Sequence, residues 1–194
     1  MNKILIIGSG GHAKVCIDLI EESSQFEIVG IVSPDLSKEF CSYPILGDDN
    51  NLKDLKQNAN HALIGIGQIR SPSSRISVFN QLKENGFNLP TIISQSSFIS
   101  KNSELGEGTV ILRNCIVNRD AKIGSNTIIN NKALIEHDVT IGDNCHVSTG
   151  ALVNGEVEIG NNCFIGSGSV IKQGIVIKDD SFIQANSFIE KNLI

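Results

Sequence analysis

Two histidines stand near each other at His137 and His146, and the first has a carboxylate on either side, Glu136 and Asp138. An adjacent acid can hold one imidazole nitrogen as N–H and leave the other a stronger proton acceptor, which is the make-up of a general base. His146 follows Cys145, a pairing that would suggest a thiol nucleophile if the two side chains faced each other. Neither histidine has carboxylate or thiolate partners at ligand spacing, so no metal is expected. A third group of residues, Gly8-Ser9-Gly10-Gly11-His12-Ala13, lies near the start. Backbone N–H groups of such a loop, at the start of a helix, can hold a phosphate. The loop also partly matches the dinucleotide fingerprint, and a glycine turn can simply join strand to helix. A nicotinamide site fits poorly. Residues 1–90 are too few for the usual two-half cofactor domain, and no acid sits cleanly at the end of the second strand.

Something rigid must hold His137 and His146, and the repeat around them supplies it. From Ile93 to Ile189 every sixth residue is Ile, Leu or Val without exception. Two residues earlier runs a second track of small or β-branched residues, including Thr109, Cys115, Thr127, Cys145 and Cys163. A strict period of six is neither helical nor alternating. It fits a chain that makes one short strand and one corner every six residues, three of them closing a triangular turn of 18. Gly106, Gly124, Gly142 and Gly160 recur at that interval of 18. Stacked turns bury the aliphatic ladder and contact mainly their neighbours. No proline follows Pro90, as a continuous ladder requires. Cys145 then points inward and His146 away from it, which weakens the nucleophile pairing. His137, Asp138 and His146 are expected to project from the turns.

Residues 1–90 differ in texture. Lys3–Ile7 reads as a strand, residues 13–22 as a helix, Phe26–Val32 and Ala62–Ile66 as further strands, and Ser71-Pro72 as the start of another helix. That order gives a small Rossmann-like α/β domain with a parallel sheet, followed over residues 91–194 by the parallel β-helix.

The five cysteines show no CxxC spacing and form neither a disulfide framework nor a zinc site. They read as small buried residues in a reducing cytoplasm. The net charge of −5 argues against a nucleic-acid partner, and no apolar run is long enough to span a membrane.

The order GSGGH at 8–12, Ile-Gly-Ile-Gly at 64–67, the repeat, Ile-Glu-His-Asp at 135–138 and His-Val-Ser-Thr-Gly at 146–150 resembles one family over nearly the whole chain. It is that of the bacterial hexapeptide-repeat sugar acetyltransferases, of the sialic acid O-acetyltransferase and bacillosamine-pathway N-acetyltransferase type. Ser42–Gly47, Asn118-Arg119-Asp120 and Val153-Asn154-Gly155 resemble the sialic acid members. The resemblance implies a left-handed β-helix, a homotrimer with sites between subunits, a bacterial cytoplasmic setting in surface-glycan synthesis, and acetyl-CoA as co-substrate. It implies His137 as the base with Asp138 as its partner acid, and Asn130 near the reacting group. His146, Gly155, Ser167 and Ala185 would contact acetyl-CoA, with the Gly155 N–H polarising the thioester. Gly8, Ser9, Gly10, Gly11, His12, Asp35 and Gly67 would hold a nucleotide sugar.

The chain departs from the family pattern in having Asp138 where Glu is frequent, in the single acid of Ser33-Pro34-Asp35, and in lacking a Gly-x-Pro-Ala tail before Ile194. The expected reaction is direct transfer of acetyl to the amino group of a nucleotide-linked 4-amino sugar, with uridine as the expected base. A hydroxyl of sialic acid, or a non-catalytic β-helix module, are the alternatives.

Overall fold

A computed structural model describes residues 1–35 and 37–194. The chain divides into two units, Met1–Gly67 with Ser73–Pro90, and Gln68–Pro72 with Thr91–Ile194.

In the first unit the apolar run of β1 (Asn2–Ile7) lies between β2 (Phe26–Val32) and β5 (His61–Ile64), parallel to both. Ile4 to Ile7 are all buried, as expected of a strand covered on both faces. Helix α1 (Gly11–Ser23) makes the crossover from β1 to β2. A short strand, β4 (Tyr43–Gly47), adds parallel to β2 and pairs antiparallel with β3 (Glu39–Phe40). Pro44 hides β4 in the sequence, because proline cannot donate to a ladder. A single helical turn, α2 (Leu52–Leu55), leads to β5, and α3 (Ser73–Glu84) follows. The third expected strand stops at Ile64 rather than Ile66, where Gly65–Gly67 leaves the sheet. The helix expected from Ser71 begins at Ser73, and residues 68–72 pack with the other unit instead.

The second unit is a three-faced prism of two-residue strands. Its first face stacks Ile92–Ile93, Val110–Ile111, Ile128–Ile129, His146–Val147, Phe164–Ile165 and Phe182–Ile183. The second stacks Phe98–Ile99, Ile116–Val117, Leu134–Ile135, Leu152–Val153, Val170–Ile171 and Phe188–Ile189; the third runs from Glu104–Leu105 to Val176–Ile177. Every pairing between these strands is parallel and joins residues 18 apart. The ladder fills the interior: Ile111, Val117, Ile129, Ile135, Val147, Val153 and Ile165 have no exposed surface.

The second track has a job beyond filling space. Thr127 Oγ1 donates to Gly142 O at 3.1 Å and Cys145 Sγ to Gly160 O at 3.1 Å, each answering a corner carbonyl of the next turn. The Thr127 hydroxyl in turn accepts from Cys145 N.

Each corner also requires one residue with positive φ, and these recur every six residues from Asn114 to Asn186. Asn, Asp and Gly hold most of these positions because they tolerate the left-handed region; Lys132 and Glu156 are exceptions.

The glycines 18 apart answer a different need. A Cβ on Gly124 would sit 2.5 Å from Gly142 C, and one on Gly142 would sit 2.8 Å from Gly160 C. These two contacts are with backbone, which cannot give way, and the side-chain oxygens of Asp143 and Asn161 crowd the same positions. Gly124→Ala should therefore lower stability by about 1–3 kcal/mol, read as an earlier denaturant midpoint; an unchanged midpoint would show that the corner relaxes freely.

Candidate active site

The corner between the second and third faces carries Glu136, His137 and Asp138, just past the strand Leu134–Ile135. His137 Nδ1 donates to Asp138 Oδ2 at 2.8 Å, which leaves Nε2 as the proton acceptor. The hydrogen bond His137 donates to Asp138, with the charges of Asp138, Glu136 and Glu156 adding to it, holds the imidazole above its usual value. Asp138 occupies a left-handed corner at φ 60°. That backbone suits Asp better than the longer Glu, and the shorter acid still reaches the ring.

One turn on, Gly155 lies beneath the imidazole. A Cβ there would come within 2.7 Å of His137 Cε1, so only glycine lets the ring rest on this backbone. Glu156 N donates to His137 O at 3.1 Å and ties the two turns together. Asn118 Nδ2 donates to Glu136 Oε2 at 2.8 Å, and Gln173 Nε2 to Glu156 Oε1 at 3.2 Å. Both acids are thus oriented from neighbouring turns. Glu136 was expected only as one of the two acids flanking His137, and Glu156 was not among the expected site residues. The signal for Glu156 was its place 18 residues after Asp138, in a column otherwise rich in Asn, Asp and Gly.

His146 does not project from a turn. It lies on the strand His146–Val147 and is buried, because residues 68–72 pack over it. Its Nδ1 donates to Gln68 O, and its Nε2 accepts from Asn130 Nδ2 at 3.1 Å. Asn130 Oδ1 accepts from Asn131 N, which fixes the amide's orientation. Gln68 Nε2 completes the attachment by donating to Asn144 O, and Phe164 meets the imidazole edge-on with centroids 5.2 Å apart. His146 is therefore engaged at both nitrogens. Cys145 points into the prism, where its neighbour Cys163 and burial hold the thiol up in its protonated form; it is no nucleophile.

The expected residues of this unit divide into two groups. His137, Asp138 and Gly155 share the edge between the second and third faces. Asn130, with Ser167 and Ala185, follows strands of the first face, and Ser167 Oγ meets Ser148 Oγ at 2.9 Å. Within one chain Asn130 adjoins His146 rather than His137.

In the first unit Gly8 turns sharply at φ 108° and its N donates to Val32 O at 2.7 Å. Ser9 Oγ and Ser33 Oγ meet at 2.7 Å, and Ser33 Oγ accepts from Asp35 N. The Asp35 carboxylate turns back to accept from Ser37 N. Gly10 caps α1 without a side-chain hydrogen bond, and a Cβ on Gly10 or Gly11 would meet open space. First-turn N–H groups have no partners inside a helix, so this end can receive an anion. Gly67 adjoins His12, its Cβ position 3.4 Å from His12 Cβ. Among the described residues no three metal-ligating side chains gather, and no helix is long and apolar enough to cross a membrane.

Comparison with known proteins agrees with this division. Residues 3–82 match the PglD N-terminal domain, 120–155 the bacterial transferase hexapeptide, and 156–191 the hexapeptide repeat of succinyl-transferase. The chain thus joins a PglD N-terminal domain to a hexapeptide-repeat, left-handed β-helix, and it matches the bacterial sugar acetyltransferase type.

Among solved structures, a histidine-to-asparagine variant of perosamine N-acetyltransferase from Caulobacter crescentus, in complex with CoA and GDP-perosamine, is 28% identical. It has a TM-score of 0.93, over 100% of this chain and 90% of that one. The acetyltransferase domain of PglB from Neisseria gonorrhoeae shares the fold at 22% identity and a TM-score of 0.93, over 100% of this chain and 94% of that one. WeeI from Acinetobacter baumannii does so at 21% and 0.71, over 97% and 96%. No curated protein matches the sequence.

If His137 acts as the base, the His137–Asp138 pair sets a pH dependence. A base works unprotonated, so activity should fall as pH drops through a His137 pKa that lies above the ordinary value of about 6.5. Asp138→Asn removes the main cause of the elevation. The acidic limb of the kcat/KM profile should then move to lower pH while the plateau falls; a limb that stays put would assign it to another group.

Proposed function

We propose that the protein transfers acetyl from acetyl-CoA to the amino group of a nucleoside-diphosphate-linked 4-amino sugar. The observation that carries this reading is the exposed His137–Asp138 pair, resting on Gly155 and set among Glu136 and Glu156. Negative surroundings favour a sugar ammonium, and Nε2 of His137 takes its proton. The amine nitrogen then attacks the thioester carbon, the Gly155 N–H facing the carbonyl oxygen as charge develops there. The C–S bond breaks, the CoA thiolate receives the proton from the imidazolium, and the second proton of the attacking nitrogen leaves to water as the amide forms. No acyl-enzyme forms. A sialic acid would bring its carboxylate into the same acidic surroundings, which counts against it as acceptor.

The roles of the remaining residues follow the same reading. The Gly8–His12 loop holds the diphosphate, and Asp35 and Gly67 lie nearby to meet the rest of the nucleotide sugar. Ser167 and Ala185 line the arm of CoA, and Asn130 and His146 support that edge. The Caulobacter relative was crystallised with CoA and GDP-perosamine, which supports the donor and the acceptor class; whether the base here is uridine or guanosine is read from the assay. His137→Ala should lower kcat by about 10²–10⁴ while CoA still binds. The wild-type measurement is thiol release from acetyl-CoA against UDP- and GDP-linked 4-amino sugars and sialic acids. Release only with sialic acids would replace the amine by a hydroxyl. No release with any acceptor, and no thermal shift with CoA, would favour a non-catalytic module.

The protein also works as a homotrimer in this reading. The outward residues of the second face are all apolar, Phe98, Ile116, Leu134, Leu152, Val170 and Phe188, and Phe98 and Phe188 are 60% and 63% exposed. A contiguous apolar column of this kind marks an interface. The division of the expected site between two edges of one prism points the same way, since a second copy can bring opposite edges together. Leu152→Glu should convert the trimer to monomer in light scattering and abolish turnover; a trimer that persists would move the interface elsewhere.

A further inference from the structure

Arg75 is buried in the first unit, with 1% of its surface exposed. It stands on α3, and its Nη1 donates to Ile64 O at 2.8 Å and to Ile66 O at 2.9 Å. Those two carbonyls flank Gly65. The segment they belong to is pressed against the glycine loop at three points. A Cβ on Gly65 would lie 2.8 Å from Ala13 Cβ, one on Gly8 would lie 3.0 Å from Ile66 Cγ1, and one on Gly67 would lie 3.4 Å from His12 Cβ. The backbone that Arg75 grips is therefore the wall on which the loop rests.

Burial draws the guanidinium down to about 10, which leaves it charged at neutral pH. The nearby Cys16 does not neutralise it, since burial pushes that thiol up to about 12. Cys16 instead faces His12, its Sγ 3.5 Å from Nε2. Enclosing a charge is expensive, and an aliphatic side chain would suffice if the site needed only packing.

We infer that Arg75 is a positioning residue for the acceptor's phosphates. Through Ile64 and Ile66 it sets Gly67 and the Gly8–His12 loop, and its enclosed charge makes that loop a better seat for an anion. This rests on the proposed role of the loop, which the same experiment tests separately.

Calorimetric titration of UDP, GDP and CoA into the full chain and its Arg75→Gln and Arg75→Lys variants decides it. The expected result is that the wild type binds one of the diphosphates, and that Arg75→Gln weakens this Kd by about tenfold or more. Arg75→Lys, which keeps the charge but not the planar fork, should lose less. The Kd for CoA should be the same in all three. A merely structural role would lower the unfolding temperature without separating the two ligands. An Arg75→Gln protein that binds the diphosphate as the wild type does overturns the inference. Should that variant not fold, Arg75→Lys carries the test, and an unchanged Kd there overturns it as well. A wild type that binds neither diphosphate overturns the loop reading itself.

Discussion

The backbone ladder between successive turns of the prism governs where every other group of that unit can be. Ile128 N donates to Cys145 O at 2.9 Å, and His146 N to Cys163 O at 2.8 Å, on the first face; the same register of 18 holds on the other two. A slip of one residue would turn the aliphatic ladder outward, so burial locks the register. With register fixed, residues 18 apart must stack. This is why Gly155 lies under the His137 ring, why Glu156 N meets His137 O, and why Asn118 can reach Glu136. The chemistry at this corner is organised by residues distant in sequence that the ladder makes neighbours.

The same constraint explains the choice of residues at the corners. A turn that changes direction every six residues needs one left-handed residue each time, and the side chains there point away from the core. Asp138 meets the conformational demand and supplies the acid for His137 in one residue. Glu156 meets it poorly, since a long unbranched acid gains nothing from the left-handed region. Its presence in that column calls for another reason, and its charge beside His137 provides one.

The six-residue ladder from Ile93 to Ile189 was plain in the sequence because aliphatic burial tolerates no exception at its positions. The apolar column of the second face was equally present, one residue before the ladder at Phe98, Ile116, Leu134, Leu152, Val170 and Phe188. It escapes a reading at period six because the third face interrupts it with Glu104, Lys122, Thr140 and Glu158, and the first with His146. Only a period of 18 isolates it. Strand β4 was hidden by Pro44, and the segment Gln68–Pro72 gave no sign of packing on the prism, since that attachment runs through the side chains of Gln68 and His146 and two backbone carbonyls. Positions that answer to local periodicity are legible; those that answer to one distant partner are not.

His137 and His146 illustrate the difference. Nine residues separate them, half of one turn, which puts one on a corner and the other on a face. At the corner the ring gives one nitrogen to Asp138 and turns the other toward solvent. On the face the ring has Gln68 O at one nitrogen and Asn130 at the other. Because the Asn130 amide can only donate through Nδ2, Nε2 of His146 must accept, and Nδ1 must carry the single proton. Protonating Nε2 would break that bond and leave the Asn130 amide facing a like donor. The same residue type thus stands as an exposed ring backed by a carboxylate in one place and as a buried tie in the other, and its position within the 18-residue turn selects between the two.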